Sequence, residues 1–250
     1  VPCTGTMQDS LINLTPARRG TRVLLCLPYA GGGSSAFFAW PQRLPADVEV
    51  WSVRLPGRES RIGEPPFRDL NALVEVLAHE ARELTTRPYT IFGHSMGALV
   101  GYELARHLPN EPACLIASGH SAPQHVSTTG PLHLLPDDEL IAALRGYGAT
   151  PEALLGQPEL MELFLPTLRA DFAVVETYTH TPATPLGCPI AVFTGTEDAD
   201  VAPHTKAWAE LTTGTFSEHV FPGGHFFLDE VRDDVLTRVS ELLPRRRKAA

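Results

Sequence analysis

A series of short, almost wholly apolar runs separated by helical patterns constrains this chain more than any other feature. "RVLLCLP" at 22–28, "VEVWSVRLPG" at 48–57, "YTIFG" at 89–93, "ACLIASG" at 113–119, "CPIAVFTG" at 188–195 and "TFSEHVFPGG" at 215–224 all read as strands. Most lack the alternation expected of a sheet with one wet face, so they predict strands buried on both faces, as in parallel sheets. Between them, "DLNALVEVLAHEARELT" places Leu70, Leu73, Val74, Leu77, Ala78, Ala81 and Leu84 on one stripe behind an Asp69 cap. "SSAFFAWPQRL" (ended or bent by Pro41), "MGALVGYELARHL", "APHTKAWAELT" and "DEVRDDVLTRVSELL" read as further helices. The predicted fold class is α/β, with one domain over 1–250 built on a mostly parallel, doubly wound sheet.

The alternation stops between about 122 and 185, where "PDDELIAALRGYG" and "PELMELFLPTLRADFAVVETY" are helical with no strand between them. An insertion leaving the carboxyl edge of an open sheet lies over the place where such sheets bind ligands, so a helical lid is expected.

Composition narrows the function. The formal charge of -9 argues against a nucleic-acid or membrane-surface binder, which needs excess Lys and Arg. The terminal "PRRRKAA" reads as a solvated tail. Cys3, Cys26, Cys114 and Cys188 lie far apart without a CxxC pair, so neither a zinc site nor a disulfide framework is expected. No run reaches membrane-spanning length and no signal peptide is visible, which leads us to expect a cytoplasmic protein. "VPCTGTMQDS" carries no pattern, and Met7 stands as a candidate natural start.

"YTIFGHSMGALVGYELARHL" holds Gly93, Ser95 and Gly97 as GxSxG, directly between a strand and a helix. In that context the serine sits on a strained turn at the top of the sheet, and the helix N-terminus favours negative charge beside it. Without it, Ser95 would be an ordinary helix cap. A serine nucleophile needs a base, and the chain order in this architecture is Ser, acid, His. His225, in the glycine-rich loop "FPGGHFFLDE" after the last strand, is preferred over His120, which follows an earlier strand end. His94 adjoins the serine but should point elsewhere. "VFTGTEDADVAPH" offers the acid: Asp198 is chosen, with Asp200 as the alternative.

An oxyanion site needs two backbone donors, assigned to Met96 after the serine and to Ala30 in "PYAGGGSS". The same loop satisfies GxGxxA and could suit a dinucleotide. The next strand, however, ends on Arg54 rather than an acid, and a hydride-transfer enzyme has no need of Ser95, Asp198 and His225. A P-loop fails because no GK[ST] follows the glycines.

"LPYAGGGSSAFFAW", "RLPGRESRIGEPP", "FGHSMGALVGYELA", "LPTLRADFAVVETY", "GTEDADV" and "FPGGHFFL", spread over roughly 22–243, together resemble type II thioesterases. These are the free-standing editing hydrolases of polyketide synthases and non-ribosomal peptide synthetases. The resemblance implies an α/β-hydrolase fold with a helical lid over a chamber. It implies hydrolysis of acyl thioesters on the phosphopantetheine arm of acyl or peptidyl carrier proteins, releasing stalled or wrong acyl groups. It implies Ser95, Asp198 and His225 as catalytic set, Ala30 and Met96 as amide donors, and no metal or dissociable cofactor. A monomer is expected. One departure is that the amino-terminal stretch lacks an expected tryptophan, which bears on packing. Arg54, Arg58 and Arg61 are candidates for carrier docking. A small-molecule carboxylesterase or lipase with the same triad is the nearest rival, and a non-catalytic binding module a more distant one.

Overall fold

In the computed structural model, residues 10–125, 130–147 and 155–244 are described. The strands are β1 (Leu11–Asn13), β2 (Arg22–Leu27), β3 (Val48–Val53), β4 (Tyr89–His94), β5 (Cys114–Ser118), β6 (Ile190–Gly195) and β7 (Phe216–Phe221). They form one seven-stranded sheet in the order β1-β3-β2-β4-β5-β6-β7. All neighbours are parallel except β1, which pairs antiparallel with β3 at Leu11↔Val53. The six runs read as strands all enter this sheet. β1 carried no periodic signal, because three residues are too few to show one and its partner lies some forty residues away.

Continuous apolarity has the predicted cause. Val23, Leu25 and Leu27 of β2 face one core, and Leu24 and Cys26 face the other. On the first face lie α1 (Leu70–Ala81) and α2 (Met96–His107). α1 starts at Asp69, whose carboxylate accepts the Ala72 amide at 2.9 Å. On the second face lie Phe37, Trp40 and the last helix, Arg232–Leu242, through Val235, Leu236 and Val239.

Two predicted helices take another form. "SSAFFAWPQRL" gives two 3₁₀ turns, Ser34–Phe37 and Trp40–Gln42, since Pro41 supplies no amide to continue an α-helix. "APHTKAWAELT" likewise gives 3₁₀ turns at Ala202–His204 and Lys206–Leu211.

Between β5 and β6 the described residues contain helices and no strand of the sheet: α3 (Asp137–Tyr147) and α4 (Pro158–Glu176). Leu140, Leu144, Leu155, Met161, Leu165 and Leu168 form a separate apolar cluster there, while Val174, further along α4, joins the main core. Thus α4 spans both insertion and body. Cys26, Cys114 and Cys188 are buried free thiols, and burial pushes all three up in pKa; Cys3 and Met7 lie outside the described residues. Among the described residues no helix is long and apolar enough to cross a membrane.

Candidate active site

Ser95 joins β4 to α2 with φ 53° and ψ −120°. Few non-glycine residues adopt such a conformation, and strain of this kind persists where the surroundings enforce it. Its amide donates to the Ser118 carbonyl at 2.8 Å and its carbonyl accepts from Ala98 at 2.8 Å, so the turn is pinned on both sides. The glycines around it are steric necessities. A Cβ on Gly93 would lie 2.0 Å from the Gly97 carbonyl oxygen, and one on Gly97 would lie 2.2 Å from that of Leu27. Ser95 stands at the N-cap of α2, yet its side chain makes no capping hydrogen bond. That separates it from an ordinary cap serine and leaves the hydroxyl for the chamber.

His225 reaches the same edge from the loop after β7, with Nδ1 2.8 Å from Asp198 Oδ2. A carboxylate only accepts, so Nδ1 carries the hydrogen and Nε2 is the ring nitrogen with acceptor character. Asp198 is buried, and its backbone is fixed by its amide to Gly195 at 3.2 Å and by the Ala202 amide to its carbonyl at 3.1 Å. The two loops interlock where a Cβ on Gly195 would sit 2.3 Å from the Gly224 carbonyl oxygen. Asp200, two residues on, is exposed at the chamber rim. The structure therefore brings Asp198, not Asp200, to His225.

His94 points beneath the turn. It is fully buried, with Nδ1 2.9 Å from Ser118 Oγ and its ring 5.2 Å from that of His225. Burial, then the neighbouring His225, holds it well below the ordinary histidine range, so it forms a neutral floor under His225. His120 lines the chamber, but its Nδ1 is 2.6 Å from the Ser121 carbonyl oxygen. Burial brings its pKa down to about 4, which keeps it neutral near pH 7.

Ser95, His225, Ala30 and Met96 line one chamber of about 950 Å³. Leu144, Met161, Phe164, Leu168, Phe172 and Val175 of α3 and α4 give it an apolar roof. Among the described residues no cluster of three or more His, Cys, Asp or Glu side chains is arranged to hold a metal ion.

The glycine-rich loop does not have the form of a dinucleotide site. The Gly31 amide donates to the Asp171 carboxylate at 2.7 Å, a group that repels phosphate, and the following helix is a four-residue 3₁₀ turn. The docking expectation also needs correction. Arg58 and Arg61 are each only 4% exposed. Arg58 pairs with Asp171 at 2.7 Å and Arg61 with Glu64 at 2.6 Å. Both are structural, which charge alone concealed. Sequence reasoning also missed Asp171, although a signal existed. An acid three residues from Leu168 and three from Val174 falls on the apolar stripe of α4, where a charge needs a partner.

Comparison with known proteins agrees with this geometry. The thioesterase domain family matches residues 22–244. The chain is 43% identical over 218 residues to the gramicidin S biosynthesis protein GrsT of Aneurinibacillus migulanus, covering 85% of each. It is 35% identical over 234 residues to thioesterase PikA5 of Streptomyces venezuelae, covering 91% of this chain and 83% of that one. Among solved structures it resembles the type II thioesterase BorB from the borrelidin biosynthetic cluster. The TM-score is 0.88 at 37% identity, covering 96% of this chain and 100% of that one. The seven-stranded sheet is accordingly an α/β-hydrolase sheet, and the chain belongs to the thioesterase domain family, whose members hydrolyse thioesters.

Proposed function

We propose that this thioesterase releases acyl groups carried as thioesters on the phosphopantetheine arm of acyl or peptidyl carrier proteins, as an editing enzyme of polyketide or non-ribosomal peptide assembly. One observation carries the chemical part: the Asp198–His225 hydrogen bond lies at the edge of the chamber into which the strained turn presents Ser95. The editing part rests on the likeness to GrsT and BorB, whose names refer to gramicidin S and borrelidin biosynthesis.

In this reading His225 Nε2 takes the Ser95 proton as Oγ attacks the thioester carbonyl, and Asp198 stabilises the imidazolium. The amides of Met96 and Ala30 hold the oxyanion, assisted by the N-terminal end of α2. Collapse of the tetrahedral intermediate breaks the carbon–sulfur bond, and the imidazolium proton passes to the departing thiol. Water then attacks the acyl-serine, losing its proton to His225, which returns it to Ser95 Oγ as the acid leaves. The chain supplies every proton transfer itself; the phosphopantetheine arrives with the substrate. The apolar roof receives the acyl chain and excludes water around it.

Hydrolysis rates on acyl-carrier thioesters and matched oxygen esters test the substrate class. A preference for the thioester by at least tenfold in kcat/KM is expected, and a preference for the oxygen ester makes the chain a carboxylesterase instead. A serine-directed phosphonate should form an adduct at Ser95; a folded protein that forms none is a binding module.

A further inference from the structure

The loop that offers Ala30 is not self-supporting. Gly32 donates back to Tyr29 at 2.9 Å, but Gly31 donates to Asp171 Oδ2 at 2.7 Å, across 140 residues. Arg58 closes the arrangement. Its guanidinium donates to both Asp171 oxygens, at 2.8 and 2.7 Å, and to the Gly32 carbonyl at 2.7 Å. The Asp171–Arg58 pair thus holds the N–H of one loop residue and the C=O of the next. Asp171 is 2% exposed and Arg58 4%, so these are charge-assisted bonds shielded from water.

α4 meets the same loop by packing. Gly31 has φ +75°, and a Cβ there would lie 2.5 Å from Leu168 Cδ2. Thr167 Oγ1 donates to the Gly57 carbonyl at 2.7 Å, beside the segment that delivers Arg58. Thr167, Leu168 and Asp171 therefore seat one turn of the lid helix on the oxyanion loop. With Gly31 and Gly32 engaged, no protein acceptor among the described residues takes the amide of Ala30, a residue that lines the chamber.

We infer that Asp171 and Arg58 are positioning residues: together they aim the Ala30 amide at the oxyanion, and so make the seating of the lid helix a condition for a complete oxyanion hole. This rests on the serine-hydrolase reading above. The clamp touches no reacting atom. It acts on the transition state because a donor misplaced by a fraction of an ångström stabilises the developing charge far less.

The test uses Asp171→Asn and, because a lone buried charge can unfold a protein, the double variant Arg58→Met/Asp171→Leu, which removes both charges at similar volume. Three quantities are measured: kcat and KM on an acyl-N-acetylcysteamine thioester, inhibition by the matching trifluoromethyl ketone, and binding of the matching thioether that lacks the carbonyl. The expected result is a fall in kcat of about ten- to a hundredfold. Ketone affinity should fall by the same factor, with KM and thioether affinity within about twofold of the parent. A folded double variant with the parent's kcat overturns the proposal, and so does a loss confined to KM and thioether binding. Ser95→Ala, run alongside, separates the two claims. If it keeps turnover, the serine-hydrolase reading fails. If it is inactive while the clamp variants match the parent, only the clamp fails.

Discussion

The turn that carries Ser95 and the loop that carries Ala30 face the same chamber but are held in different ways. Around Ser95 the restraint is backbone from its own turn and from the two flanking strands: Gly93, Gly97 and the Ala98 amide, with Leu27 of β2 and Ser118 of β5 alongside. The restraint is steric and made of backbone. Around Ala30 the restraint is polar and distant, since Arg58 and Asp171 come from separate segments and meet only in the folded chain. Backbone packed too closely to admit even a Cβ at Gly93 or Gly97 leaves the turn little room to move, so the Ser95 side chain is held in place. A side-chain clamp that joins distant segments depends on how they sit, so under the inference above that half of the site is where the position of α4 bears on rate.

The largest effects should come from the side of the sheet edge that carries the proposed triad. Ser95→Ala should reduce turnover by about a thousandfold or more, with unchanged circular dichroism. Asp198→Asn should cost about a hundred- to ten-thousandfold in kcat, and Asp200→Asn less than about threefold. The reverse ranking would move the acid to Asp200 and break the assignment built on the His225 bond.

A smaller but global effect is expected at the steric wall. Gly97→Ala places a Cβ against the Leu27 carbonyl, a backbone group that cannot turn aside, and should cost about 3 kcal/mol of stability in denaturant unfolding. Ser95→Gly should act in the opposite direction, gaining about 1 kcal/mol by relieving the positive φ. A Gly97→Ala protein as stable as the parent would show that the turn yields, and the contrast with the clamped loop would disappear.

The last effect appears only on acidification. The folded pKa of His120 lies at about 4, below its ordinary 6.5, chiefly through burial. Between those values the unfolded chain binds the extra proton, so stability falls as pH drops from 6.5 towards 4 and this group adds nothing further below. His94 carries the same sign. His120→Asn should flatten that limb by about 3 kcal/mol at most, read as the melting temperature against pH. An unchanged limb would leave its source among His94, His180 and His219, all of which burial also lowers in pKa.

Much of this was legible along the chain because the governing contacts are local. Continuous apolarity marked strands buried twice, GxSxG between strand and helix marked the turn, and loops that follow the last two strands must emerge at the same edge of a parallel sheet. What could not be read involves polar contacts between segments far apart in sequence. Arg58 looked like a surface charge and is internal; Asp171 looked like part of a helical pattern and accepts the Gly31 amide of the glycine-rich loop. The preference for Asp198 over its neighbour depended on a loop conformation fixed by backbone bonds to Gly195 and Ala202.

Local patterning was enough to specify the sheet, the strained turn at Ser95 and the loops after β6 and β7 that meet at one edge. Periodicity and glycine spacing act over a few residues, and parallel connection fixes which ends meet. Only the packed fold settled which carboxylate faces His225, which arginines are buried and how α4 meets the loop at Gly31. Those outcomes depend on charges finding partners across the fold, where burial makes an unpaired one too costly to keep.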